Sequence, residues 1–257
     1  MTCADVCTGV NPDIARFVRI LAATTPGNAG EGLTPVPARA ADEIMSSSML
    51  LERLLRAVPE ITVGPLLHAE QYWLSTGRHL RRGAAASALD RTYLVELSEL
   101  DSILPSTKPF GIGLYTSTGI FGSFGMWWAY MQLHAGSTLF PPPWTIWSVE
   151  PVHDANVLEI TTASEWVDFV LSHPDRMGGL LYPNWKSAEE RWDGIHMTAR
   201  AIAATQGIRL SADNNDAIAP HYWDVESTFW LRWRFARAER IDAQCVNSGA
   251  DERTGSR

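Results

Sequence analysis

Two acidic residues stand at the start of an apolar run near the end of the chain. Residues 221–235 read HYWDVESTFWLRWRF, in which Asp224 and Glu226 precede four aromatic residues. Side chains two apart point to the same side of an extended chain, so this spacing predicts neighbouring carboxylates. Such a pair has at least one raised pKa and suits the polarisation of a substrate hydroxyl. The alternative is a structural pair neutralised by Arg232 or Arg234 across a hairpin.

A glycine-rich segment at 110–131, FGIGLYTSTGIFGSFGMWWAYM, is a second candidate. Gly113 permits close approach of a ligand to the backbone, and hydroxyl side chains, among them Tyr115 and Ser117, alternate across a predicted strand. The predicted helix that follows would offer free amides to an anion at its N-terminus. The alternative is that the glycines only mark bulges and turns.

A basic cluster lies at 71–83, QYWLSTGRHLRRG, and includes Arg78 and His79. Guanidinium groups bind phosphates through paired hydrogen bonds, so the cluster could hold a diphosphate. A solvated turn accounts for the same residues without a ligand.

Asp193 and His196 form a third motif, Asp-Gly-Ile-His. It resembles the Asp-x-x-His block of SGNH-type ester hydrolases, in which the aspartate orients the histidine base. That chemistry needs a nucleophilic serine in a Gly-Asp-Ser context, and the sequence contains no Gly-Asp-Ser.

These residues need strands and helices to position them, and short apolar runs predict both. Strands are predicted at 91–97, 111–118, 144–150, 156–161, 192–198 and 226–235. Helices are predicted at 11–23, 41–60, 123–135, 163–174, 184–191 and 199–207. Because the two kinds of element do not alternate regularly, we expect an α+β fold with a split, mostly antiparallel β-sheet.

The same pattern predicts that the chain is divided into three parts. Residues 1–60 form a helical segment with a linker rich in Pro and Gly, and residues 61–245 form the α+β domain. Residues 246–257 have no apolar periodicity, which predicts a disordered tail.

Composition excludes several classes of protein. The chain has 257 residues, 46% of them hydrophobic, which is enough for a large core. It has neither the basic start of a signal peptide nor a long apolar run, so we expect a cytoplasmic protein without membrane contact. A net charge of −8 argues against general nucleic-acid binding. Three cysteines make no disulfide framework, and no metal site is expected.

Taken in chain order, residues 68–236 resemble the ADP-ribosyltransferase fold. The run GLYTST is similar to the hydroxyl-bearing second strand of that family, and SAEERWDGI is similar to its helix followed by Tyr-Asp-Gly-Ile. Asp224-x-Glu226 resembles the Glu-x-Glu signature, with aspartate in the first position. The resemblance implies an enzyme that cleaves NAD between nicotinamide and ribose and transfers ADP-ribose to a protein, nucleic acid, small molecule or water.

The resemblance also implies roles for individual residues. Glu226 would bind a ribose hydroxyl and stabilise an oxocarbenium-like transition state, and Asp224 would orient the acceptor. Tyr115 would stack on nicotinamide, and Ser117 would hold Glu226 or the ribose, close to Gly113.

The basic residue of the family's first motif has several candidates in this sequence. Arg78 or His79 would bind the diphosphate or ribose of NAD, and Arg91 and His68 compete for that position. A catalytically silent relative that binds a nucleotide or a partner protein is an alternative function. The tryptophans are expected mainly in the core.

Overall fold

The computed structural model describes residues 11–23, 34–76, 89–91, 94, 96–109, 112–120, 124–134, 138, 140–141, 144–212 and 216–241. Within these ranges there are eight helices: α1 (Pro12–Ala22), α2 (Ala38–Ser46), α3 (Met49–Ala57), α4 (Pro59–Val63), α5 (Gly125–Leu133), α6 (Ala163–Ser172), α7 (Trp185–Arg191) and α8 (Ala199–Thr205). Two short 3-10 helices occupy His68–Glu70 and Leu97–Glu99.

Twelve strands lie in the same ranges. They are β1 (Val36–Pro37), β2 (Gln71–Ser75), β3 (Leu114–Thr118), β4 (Thr145–Pro151), β5 (Val157–Ile160), β6 (Pro174–Met177), β7 (Leu180–Pro183), β8 (Gly194–Met197), β9 (Leu210–Ser211), β10 (Ala217–Ile218), β11 (Ser227–Trp230) and β12 (Phe235–Ile241). The chain is an α+β protein, as the order of predicted elements indicated.

The larger of two mixed sheets has seven strands in the order β12-β4-β2-β3-β11-β8-β5. Its neighbours pair antiparallel, except for the parallel pair of β5 and β8. The smaller sheet has the order β1-β9-β10-β7-β6 and contains both parallel and antiparallel pairs. The larger sheet therefore has the mostly antiparallel character that was expected.

The register of the larger sheet places polar residues of four strands in one row. Thr228 on β11 pairs with Thr116 on β3 and with His196 on β8, and His196 pairs in turn with Glu159 on β5. Paired residues of neighbouring strands project from the same face of a sheet. This register brings the candidate site together.

Apolar side chains pack against both faces of the larger sheet. The face of the sheet opposite to Thr228 and His196 carries Phe229 and Ile195. These two residues belong to a core that also includes Leu54 and Ile61 of the N-terminal helices and Trp166 of α6. Helices α1 to α4 thus share one core with the later part of the chain.

Several tryptophans fill this interior, as expected. Trp128, Trp147, Trp223 and Trp230 are buried. A smaller set, Trp127, Trp144 and Trp233, is partly buried at the edges of the core.

Strands and helices differ from the predictions in places where local hydrogen bonds end an element. The predicted helix at 41–60 divides into three, because Ser47 Oγ donates to Ile44 O and Ser48 Oγ accepts from the Leu51 amide. Serine favours such local bonds over a continued helix. The predicted strand at 226–235 ends at Trp230, since the Leu231 amide turns to Asp193 O.

Other elements were missed or assigned wrongly. The predicted strand at 91–97 is wrong within the described residues, where a 3-10 helix begins at Leu97. Strand β2 lies inside a segment read as a basic loop, and the short strands of the smaller sheet carry too few residues for a periodic pattern. Residues 246–257 lie outside the described part of the chain.

Two glycines allow close contact between elements of the site. Gly113, with φ +62°, precedes β3, and a Cβ there would overlap the Phe229 ring and lie 2.6 Å from Trp230 O. Gly125, with φ +80°, begins α5, and a Cβ there would lie 2.7 Å from Ser117 Oγ. The close approach at Gly113 is therefore that of the neighbouring strand β11, whereas the sequence predicted a ligand at this position.

We expect Gly113→Ala to destabilise the fold by about 3 kcal/mol, because the new methyl group adds overlap with β11 to the strain of a positive φ. Gly178→Ala is the matched control: Gly178 has φ +60°, and a Cβ there meets nothing within 4 Å. The control should lose only about 1 kcal/mol. Urea unfolding of both variants checks this, and equal losses would contradict the packing argument.

Candidate functional site

Glu226 lies immediately before β11 and is 0% exposed. Its Oε2 accepts hydrogen bonds from Ser117 Oγ at 2.9 Å and from the Thr118 amide at 3.1 Å. Its Oε1 accepts from Thr118 Oγ1 at 2.7 Å and lies 2.9 Å from His196 Nε2. The carboxylate is thus held by β3 on one side and by β8 on the other.

His196 joins Glu226 to a second carboxylate. Its Nδ1 lies 2.6 Å from Glu159 Oε2, and the ring is 0% exposed. Burial works against protonation, but hydrogen bonds and charge from Glu159 and Glu226 raise the pKa of His196 to about 9. At neutral pH the ring is therefore an imidazolium that donates one hydrogen bond to each carboxylate.

Glu159 is the end of this arrangement nearest to solvent, with a side chain 30% exposed. Its Oε1 accepts from the Leu66 amide at 2.8 Å. Although burial acts in the opposite direction, the hydrogen bond and charge of His196, with the Leu66 amide, lower the pKa of Glu159. His68 adds a smaller electrostatic effect in the same direction.

The hydrogen bonds continue from Glu226 across β3 to β2. Gln71 Nε2 donates to Thr118 Oγ1 at 2.9 Å, and Thr116 Oγ1 donates to Gln71 Oε1 at 2.6 Å. Trp230 Nε1 donates in turn to Thr116 Oγ1 at 2.8 Å. We call this set the polar row; its members are Glu159, His196, Glu226, Thr118, Gln71, Thr116 and Trp230.

The expected side-by-side arrangement of Asp224 and Glu226 is wrong. The strand begins only at Ser227, and Asp224 has a left-handed backbone with φ +72°. Its side chain accepts from Gln206 Nε2 at 3.0 Å, and its amide donates to Gln206 Oε1. Asp224 is partly buried, outside the hydrogen bonds of the polar row.

The structural alternative, in which arginines of the following hairpin neutralise the acidic pair, is also wrong in its partners. Arg234 pairs with Asp154 and Asp193, and Arg232 lies near Glu189 and Asp193. The cation next to Glu226 is His196 instead.

Asp193 and His196 do not form the pair that an ester hydrolase would need. Asp193 Oδ2 accepts from the Asn156 amide at 2.9 Å and lies 3.2 Å from Arg234 Nε. The Nδ1 of His196 is occupied by Glu159. Glu159, on the neighbouring strand β5, therefore orients the imidazole in place of the predicted Asp193.

Tyr115 stands on the other face of β3 and is partly buried. Its ring stacks on Phe229 with centroids 4.6 Å apart, and its hydroxyl donates to Pro109 O at 2.8 Å. Lys108 lies over the ring at 5.2 Å and donates to Trp223 O at 2.5 Å. The ring of Tyr115, which was expected to stack on nicotinamide, is thus already in contact with protein groups.

Lys108 is a buried cation that the sequence did not single out. It is 4% exposed. Burial lowers the pKa of Lys108 to about 8, and the charge of Asp224 acts in the opposite direction. Burial, with the charge of Lys108, also lowers the pKa of His221 to about 3.

The four candidates for the basic residue that would bind the diphosphate or ribose of NAD lie in different parts of the chain. Arg78 and His79 are outside the described residues. Arg91 is paired with Glu96 at 2.9 Å. His68 is partly buried beside Glu159, and its Nδ1 has no hydrogen-bond partner.

Glu159, Gln71 and Thr118 were missed as site residues. A carboxylate within the predicted strand NVLEIT and the hydroxyls of LYTST were the available signals. Glu159 is visible only as a single polar residue in an apolar run, and Thr118 only as one of three consecutive Ser and Thr residues. Strand pairing, which brings them together, is not readable from one sequence.

Comparison of the chain with models of known protein families, with curated proteins and with solved structures found no match. None of the helices in the described ranges has the length and apolar character needed to cross a bilayer. Nor do the described residues contain a group of three or more His, Cys, Asp or Glu side chains suited to a metal ion.

We expect His196→Gln to destabilise the protein at pH 7 by on the order of 3 kcal/mol, because it removes the charge between two carboxylates. The folded pKa of about 9 exceeds the ordinary value of 6.5. The contribution is therefore complete below pH 6.5 and is lost as pH rises through about 9.

Urea unfolding at pH 7 and pH 10 measures this effect, and the difference between wild type and variant should narrow at the higher pH. His153→Gln, at an exposed position, is the control and should change stability by less than about 0.5 kcal/mol at both pH values. A pH-independent loss in His196→Gln would contradict a charged ring.

Proposed function

We propose that the chain cleaves the nicotinamide–ribose bond of NAD and transfers ADP-ribose to an acceptor or to water. The observation that carries the proposal is the 2.9 Å hydrogen bond from Ser117 Oγ on β3 to Glu226 at the start of β11. Strands β2, β3 and β11 are consecutive neighbours in one sheet. An early strand, a hydroxyl-bearing strand and a late strand directly preceded by a glutamate are thus side by side.

The residues around Glu226 supply the electrostatics that this reaction requires. Loss of nicotinamide leaves positive charge on the ribose, as in glycoside cleavage. A carboxylate fixed by Ser117, Thr118 and His196 cannot rotate away from that charge, and a preorganised group stabilises a transition state better than a mobile one.

The approach of a substrate hydroxyl is set by the donors already present. Oε1 of Glu226 is engaged by Thr118 Oγ1 and His196, whereas Oε2 is engaged by Ser117 Oγ and the Thr118 amide. Of these donors, the Ser117 hydroxyl can rotate without breaking a charged pair. We propose that a ribose hydroxyl replaces Ser117 Oγ at Oε2.

Further roles in the proposal fall to residues near the start of β11. Asp224, partly exposed and turned toward Gln206, would orient the acceptor. Arg78 and His79 remain proposed NAD contacts, whereas Phe229 and strand β11 already occupy the space beside Tyr115 and Gly113.

A second candidate function is that of a catalytically silent relative that binds a nucleotide or a partner protein. The observation that favours it is the complete burial of Glu226, whose carboxylate accepts hydrogen bonds from Ser117, Thr118 and His196. In that case the polar row would only stabilise the sheet.

Glu226→Gln should lower the rate of nicotinamide release by about 10²- to 10³-fold, because a neutral amide cannot stabilise the developing charge. The assay incubates the protein with NAD and measures free nicotinamide by mass spectrometry. Glu150→Gln, an exposed position on β4 of the same sheet, should retain the wild-type rate.

Calorimetric titration with NAD separates the two functions. Binding with nicotinamide release supports the transferase, and binding without release by the wild type supports the silent relative. If Glu226→Gln released nicotinamide as fast as wild type, the assignment of Glu226 would be wrong. The absence of any NAD binding would exclude NAD as the ligand of both.

A further inference from the structure

A pocket of about 350 Å³ lies beyond the end of β11 that is farther from Glu226. This volume is within the range of small-molecule sites. The lining residues are Glu96, Ser98, Lys186, Glu189, Glu190 and Arg232. None of them belongs to the polar row, so the pocket is separate from the proposed NAD site.

The two cations of the pocket are already engaged by backbone carbonyls. Lys186 Nζ donates to Leu100 O and to Asp101 O, and Arg232 Nη2 donates to Glu189 O. Three carboxylates face these two cations, so the lining carries an excess of negative charge.

The carboxylate of Glu96 is engaged as well. It accepts from Arg91 Nη2 at 2.9 Å and from the Trp233 amide at 3.3 Å. The remaining negative charges of the lining are those of Glu189, in the wall and 3.9 Å from Arg232 Nε, and Glu190, at the exposed rim.

Glu189 is the unusual member of the lining. It is 5% exposed, yet its Oε1 has no hydrogen-bond partner among the residues that the structure describes. Arg232 Nε lies 3.9 Å from this oxygen, which is beyond hydrogen-bond length. Burial raises the pKa of Glu189, and the charge of Glu96 adds to this effect. The charges of Arg232 and Lys186 and a hydrogen bond from the Ser98 backbone to the carboxylate oppose it only in part. Buried carboxylate oxygens are almost always satisfied, so this one lacks a donor that a ligand can supply.

We propose that this pocket binds a small organic cation through a guanidinium group that donates to Glu189 Oε1. An organic cation fits better than a metal ion, since the described residues contain no metal-binding group of three or more His, Cys, Asp or Glu side chains. A guanidinium group presents several N–H donors in one plane and bonds strongly to carboxylates.

The test is calorimetric titration of the full chain with agmatine, which carries a guanidinium and an ammonium group. The ligand control is N-carbamoylputrescine, an analogue of agmatine in which a neutral urea replaces the guanidinium group. We expect agmatine to bind wild type and Glu189→Gln to weaken binding by about tenfold or more, the loss of one charge-assisted hydrogen bond. Glu43→Gln, exposed on α2, should leave the affinity unchanged.

The pH dependence gives a second readout. The ionised form of Glu189 binds the cation, so wild-type affinity should rise as pH increases through the raised pKa of this residue, while agmatine stays charged. Glu189→Gln should lose that dependence and keep the circular dichroism spectrum of wild type. Absence of agmatine binding at millimolar concentration, or equal affinity of Glu189→Gln and wild type, would overturn the proposal. Nicotinamide release is not involved in either outcome.

Discussion

A single buried imidazolium between two carboxylates connects the strands of the larger sheet. Charges taken out of water lose hydration, and the loss is offset only when partners and hydrogen bonds replace it. His196 provides this for Glu159 and Glu226, and β3 supplies the remaining donors through Ser117 and Thr118. Strands β5, β8, β11 and β3 are thereby held in one register, since a shift of one residue would turn His196 to the opposite face.

The polar row also explains why hydroxyl residues occupy the middle of the sheet. Gln71 uses both its carbonyl and its amide, and each threonine beside it both donates and accepts. Hydrogen bonds in such a series polarise one another and lose most when one member is removed. The buried exception is Thr228, whose Oγ1 lies among these groups without a partner.

Sequence patterns were sufficient where an element is long and its period clear. Helices α1, α5, α6 and α7 and strands β3, β4, β5 and β8 lie close to their predicted positions. Strand β2 was missed because the basic residues after it dominate that segment. The serines at 46–48 end one helix and start another, which apolar spacing alone does not show.

The candidate site was only partly predictable, because its contacts depend on backbone conformation and strand pairing. The resemblance placed Ser117 near Glu226, and the structure brings these two side chains together. The spacing of Asp224 and Glu226 assumed an extended chain, and the positive φ of Asp224 removes that geometry. Glu159 could not be matched to His196, because their contact depends on the parallel pairing of β5 and β8 across 37 residues of sequence.

The glycine that begins α5 determines what surrounds the Ser117 side of Glu226. Gly125 lies so close to Ser117 and to the Thr118 carbonyl that no side chain fits between them. A side chain at this position would push Ser117 Oγ away from Oε2 of Glu226, so the hydrogen bond that joins β3 to Glu226 requires a glycine at the start of α5.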